Sequence, residues 1–62
     1  MKVIYQGTVY DFEKSLTVRE VLKKLNLNPE EHVVVVDGQV YTEDRLIKKG
    51  SEVVIHKVTS AG

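Results

Sequence analysis

Leu16-Thr17-Val18-Arg19-Glu20-Val21-Leu22-Lys23-Lys24-Leu25 decides how the rest of the chain is read. Thr17 and Glu20 have the spacing of a capping box, in which the Thr17 hydroxyl takes the Glu20 amide and Glu20 reaches back. Leu16 and Val21 fill the two positions of a hydrophobic staple. Val18, Val21, Leu22 and Leu25 recur at helical spacing as one apolar stripe. Lys23 and Lys24 fall late in the helix, where the macrodipole favours cations. Asn26 suits a left-handed C′ residue, and Asn28-Pro29 keeps the helix from restarting.

Strand patterns flank this helix on both sides. Residues 2–5 and 9–12 alternate around Gln6-Gly7-Thr8, with Val3 and Tyr5 on one face and Tyr10 and Phe12 able to meet them across the pair. That predicts a β-hairpin. Val33-Val34-Val35-Val36 predicts a strand that is apolar on both faces. Asp37-Gly38 is a type I′ hairpin signal, with Gln39-Val40-Tyr41 returning. Thr42-Glu43-Asp44-Arg45 predicts a polar turn or a single helical turn, after which Leu46 is expected to plug the core. Lys48-Lys49-Gly50-Ser51 turns the chain again into a last strand over 52–58.

Strand alternation then sorts the side chains. If Val34, Val36, Val53 and Ile55 point inward, then Val33, Val35, Val54, His56 and Val58 point outward. Two neighbouring strands expose an apolar patch, and such patches on small domains mark partner-docking sites. The competing explanations are a covering layer, an oligomer, or valines kept for strand propensity alone.

Composition narrows the function. Sixty-two residues make one domain, too small for a deep catalytic cleft with its supporting shell. Lys+Arg and Asp+Glu balance at nine each, which gives no overall field for nucleic acid or an anionic membrane. No cysteine is present, so disulfides, thiolate metal sites and a cysteine nucleophile are excluded. No apolar run has the length of a membrane span or signal segment, and a cytoplasmic, monomeric protein is expected. His32, read as a strand-edge residue, and His56, read as outward, lie on different strands with no third ligand nearby. No metal site is expected. Glu30-Glu31 and Glu43-Asp44 are read as solvated acids, and Gly7, Gly38 and Gly50 as turn glycines, not a phosphate cradle.

Beyond residue 58 the chain reads Thr59-Ser60-Ala61-Gly62, small residues with uncharged side chains. Residues 1–58 are therefore expected to be the folded domain and 59–62 a tail. Extended, four residues carry the terminal carboxylate roughly 14 Å from the fold, enough to thread a channel in another protein. Thr59 and Ser60 are read as spacers.

Taken together, the order of elements, Leu16-Thr17-Val18, Val36-Asp37-Gly38-Gln39-Val40, Lys49-Gly50-Ser51-Glu52-Val53-Val54-Ile55 and the terminal glycine resemble the ThiS/MoaD family of ubiquitin-like sulfur carriers. The likeness runs over essentially the whole chain. It implies an α+β, ubiquitin-like β-grasp fold: a mixed four- to five-stranded sheet with one helix packed across it. It also implies that the chain is a carrier acted on by enzymes, not an enzyme. An E1-like adenylating enzyme would place the Gly62 carboxylate against the α-phosphate of ATP. A sulfurtransferase persulfide would convert the acyl-adenylate to a thiocarboxylate, and a sulfur-accepting synthase would receive the sulfur. The destinations implied are thiamin thiazole, molybdopterin or thiolated tRNA. ATP is used by the partner, and no cofactor is expected on this chain. The family ends in Gly-Gly, whereas here Ala61 precedes Gly62; its methyl widens the chain and restricts φ.

Two other functions fit the same residues. A ubiquitin-like protein modifier would use the activated Gly62 to form an amide with a lysine. A passive β-grasp binding module, such as an RNA-binding TGS-type domain, would use no tail chemistry but calls for a basic face with aromatics, which the balanced charge does not supply.

Overall fold

A computed structural model describes residues 1–58. Its elements are β1 (Lys2–Tyr5), β2 (Thr8–Asp11), β3 (Leu16–Thr17), α1 (Val18–Lys24), β4 (His32–Val36), β5 (Gln39–Tyr41), β6 (Leu46–Ile47) and β7 (Glu52–Lys57). Five strands form one mixed sheet in the order β2-β1-β7-β4-β5, with β1 and β7 parallel at its centre. β3 and β6 form a separate two-stranded sheet. The helix covers one face of the large sheet, giving the α+β β-grasp arrangement expected from the sequence.

The helix forms for the reasons its sequence gives. The Glu20 amide donates to Thr17 Oγ1, and the Thr17 amide donates to Glu20 Oε1 at 2.9 Å. These contacts, the backbone bond first, hold the Glu20 carboxyl below its ordinary value of 4.5. The two amides before Glu20 are also satisfied: Val18 donates to the Arg45 carbonyl and Arg19 to that of Glu43. The polar segment 42–45 is thus a turn, closed by Arg45 N–H on Thr42 C=O, and it seats on the helix N-terminus. Glu43 and Asp44, read from sequence as solvated, both pair with Arg19. At the other end Asn26 adopts φ +59°. Leu27 N–H bonds Leu22 C=O and Asn26 N–H bonds Lys23 C=O, which is a complete Schellman motif.

Both tight turns are two residues long. Gln6 (φ +48°) and Gly7 (φ +79°) are followed directly by Thr8, already paired with Tyr5, so the second strand runs 8–11 and not 9–12. Asp37 (φ +48°) and Gly38 (φ +85°) make the expected type I′ turn. The last strand ends at Lys57, one residue earlier than expected. Asn28-Pro29 does end helical propagation in α-form, but Pro29–Glu31 makes a 3₁₀ turn with Asn28 as its cap.

The core consists of Met1, Val3, Leu16, Val18, Val21, Leu22, Val34, Val36, Ile47, Val53 and Ile55. The expected plug is corrected here. Leu46 is 53% exposed, whereas Ile47 is fully buried. Antiparallel pairing of β3 with β6 sets Ile47 opposite the buried Leu16 and Leu46 opposite Thr17, so alternation turns Leu46 outward.

Candidate functional site

Among the described residues, nothing covers the face of the sheet opposite α1. Register brings five apolar side chains into one row across it: Val9 pairs with Ile4, Ile4 with Val54, Val54 with Val35, and Val35 with Val40. Directly paired residues share a face, so this row crosses every strand of the sheet. Its middle members, Ile4, Val54 and Val35, are half-buried by their neighbours, while the end members Val9 and Val40 are 56% and 67% exposed.

Beside that row, toward the end of β7, Val33 stands opposite the exposed His56. Val58 follows β7, half-exposed, with its amide bonded to the Glu31 carbonyl at 2.7 Å. On the other side of the row the residues are charged. Lys2 is in register between Asp11 and Glu52, and the Glu52 amide donates to Asp37 Oδ1. The face is therefore apolar across its width, charged at the end away from β7's C-terminus, and lined by Val33, His56 and Val58 at the end where β7 leads toward residue 59.

The five residues expected to face outward, Val33, Val35, Val54, His56 and Val58, lie on this side or at its edge. The sequence reading missed Ile4, Val9 and Val40. Val40 was within reach, because a two-residue turn at Asp37-Gly38 forces Val36 opposite Gln39 and Val35 opposite Val40. Ile4 was not, since its neighbour Val54 is fixed by a parallel pairing between residues 50 positions apart.

His32 sits at the start of β4, as expected for a strand-edge residue, but its ring is bonded at both nitrogens. Nδ1 lies 2.7 Å from the Asn28 carbonyl and Nε2 lies 2.9 Å from the Tyr5 hydroxyl. The Tyr5 and His32 rings meet edge-on with centroids 5.3 Å apart. Among the described residues no group of three His, Cys, Asp or Glu side chains is placed to hold a metal ion. Also among them, no helix is long and apolar enough to cross a membrane. Thr59, Ser60, Ala61 and Gly62, the expected tail and its reactive carboxylate, lie outside the described residues.

A family model described as small archaeal modifier protein 2 matches residues 4–59, nearly the whole chain. The chain belongs to this family. That membership supports a ubiquitin-like modifier or carrier and does not single out the ThiS/MoaD group. No curated protein matches the chain. The match spans the apolar row from Ile4 to Val54 and both residues of the Tyr5–His32 contact.

Proposed function

We propose that this chain is a ubiquitin-like modifier activated at the Gly62 carboxylate, with the uncovered sheet face as the surface that the activating enzyme holds. The observation that carries the reading is the apolar row Val9–Ile4–Val54–Val35–Val40 on a domain of the small archaeal modifier family. Its central strand is the one that leads to the terminal residues. Docking on that face sets the direction from which residues 59–62 approach a partner's active site.

The chemistry starts at a carboxylate, which is a poor electrophile. One Gly62 oxygen attacks the α-phosphate of ATP and pyrophosphate leaves, giving an acyl-adenylate. A lysine amine of a target protein then attacks the carbonyl carbon, AMP leaves, and an isopeptide bond remains. The E1-like enzyme supplies the ATP site and the catalytic groups.

The same adenylate has a second fate. The terminal sulfur of a sulfurtransferase persulfide attacks the carbonyl and displaces AMP. A second thiol reduces the resulting acyl disulfide, releasing the thiocarboxylate and a disulfide. A sulfur-accepting synthase would be its consumer.

Intact-mass spectrometry of the untagged protein, with ATP and the host's E1-like enzyme, tests these fates. A lysine conjugate through Gly62 supports the modifier, and an oxygen-to-sulfur exchange mapped to Gly62 supports the carrier. With a persulfide-loaded sulfurtransferase, a reducing thiol and target proteins bearing free lysines also present, unchanged carboxylate sinks both and leaves a passive binding module. Ala61→Gly in the same assay reads how far the methyl next to Gly62 slows activation.

A further inference from the structure

We infer that Tyr5 and His32 are positioning residues that withhold the Glu31 amide from the β4–β7 ladder, and so limit what β4 offers to the chain beyond Val58. The inference rests on the proposed role of Gly62 for its purpose, though not for its geometry.

The ladder pairs Val35 with Val54 and Val33 with His56. Two residues further, the same register sets Glu31 opposite Val58. Half of that rung exists, because Val58 N–H donates to the Glu31 carbonyl at 2.7 Å. The other half would need Glu31 N–H to reach the Val58 carbonyl. Instead Glu31 N–H donates to the Asn28 carbonyl at 3.0 Å and closes the 3₁₀ turn. The donor that would continue the sheet has been spent on the turn.

His32 holds that turn closed. A carbonyl only accepts, so the nitrogen 2.7 Å from Asn28 O, Nδ1, carries the ring proton. The neutral ring then offers Nε2 as an acceptor, and the Tyr5 hydroxyl donates to it at 2.9 Å. The Asn28 carbonyl selects the tautomer, and the Tyr5 hydroxyl holds the ring in the orientation that pins it. The Asn28 side chain adds a bond from Glu30 N–H at 2.9 Å. One register step beyond, Pro29 would stand opposite Ser60, and proline has no N–H to donate. Turn and proline thus remove the β4-side donors of two successive rungs, at Glu31 and at Pro29.

The test uses the purified full chain and NMR hydrogen-bond couplings, with no activating enzyme present. It is therefore read separately from any result on Gly62. Wild type and His32→Asn, whose side-chain N–H can replace Nδ1–H, are expected to show the Glu31 N–H to Asn28 C=O coupling. His32→Val should lose it and show Glu31 N–H coupled to Val58 C=O. In H32V combined with Pro29→Ala, amide exchange after residue 58 should slow at least roughly tenfold as the ladder extends. Tyr5→Phe, which keeps the ring, should move the His32 Nε2 resonance and raise Glu31 exchange severalfold with Val34 and Ile55 unchanged. An H32V chain that keeps the Glu31–Asn28 coupling overturns the inference. So does a Tyr5→Phe chain with wild-type Nε2 shift and Glu31 exchange, a result that stands even if H32V fails to fold.

Discussion

Ile4 and Val54 are register partners across the parallel β1–β7 pair, and both lie on the face that the helix leaves bare. Neither is needed to close the core, which is filled from the other face by Val3, Val53 and Ile55. On the proposed function, their placement separates docking from folding. The double variant Val35→Thr and Val54→Thr keeps β-branched shape and strand propensity while replacing two methyls with hydroxyls. Thermal unfolding is expected to change by about 1 kcal/mol or less. The KM for activation by the host's E1-like enzyme is expected to rise at least roughly tenfold, from two lost methyl contacts. An unchanged KM would count against this face as the docking surface.

Ile47 and Leu46 are neighbours in sequence with opposite environments, and their alanine variants should differ accordingly. Ile47→Ala opens a cavity beneath β3 and should cost about 2–5 kcal/mol in urea unfolding. Leu46→Ala, half-exposed on the outer side, should stay within about 1 kcal/mol of wild type. Equal losses would mean that β6 has slipped by one residue.

Asn26 ends the helix with φ +59°. Asn26→Ala forces a Cβ-bearing residue without a helpful side chain into the left-handed region, and should destabilise by about 1 kcal/mol. Asn26→Gly should match or slightly exceed wild type. Chemical denaturation of the pair checks the order Gly ≥ Asn > Ala.

Glu20 is held below its ordinary value of 4.5, first by the Thr17 amide and then by the Thr17 hydroxyl. A folded-state value lower than the unfolded one means the contribution is fully present above 4.5 and is lost as pH falls through the folded value. Glu20→Gln should therefore flatten the acid limb of the stability profile while preserving helix content. Thr17→Ala removes the hydroxyl partner at every pH and should cost about 1 kcal/mol. Melting temperatures measured from neutral pH down past 4.5 distinguish the two.

How much of this was legible beforehand follows from the range of the forces involved. The capping box, the Asn26 terminus and the Asp37-Gly38 turn are decided within five or six residues, and the sequence states them directly. The inward set Val34, Val36, Val53 and Ile55 followed from alternation once one member was placed. The plug was misassigned because 42–45 has no period of its own. Whether Leu46 or Ile47 turns inward depends on pairing with β3, about 30 residues upstream. The two short strands of that small sheet are too brief to show a pattern. The apolar row is half visible for the same reason: β4 and β7 announce themselves as valine-rich strands, but the side-by-side placement of β1 and β7 is long-range. The Tyr5–His32–Asn28 chain joins three segments, and nothing local in any of them signals it.

The parallel pairing of β1 with β7 also constrains how the molecule is made. The first strand has its central neighbour only when the last one has been synthesised, so the sheet cannot assemble on a nascent chain until β7 has left the ribosome. Long-range closure of this kind favours folding once β7 is available over stepwise folding before it. A fragment lacking β7 has neither the middle of the sheet nor the strand that leads to Gly62. The surface that a partner would read and the group that it would modify therefore become available together, and translation products that stop early present neither.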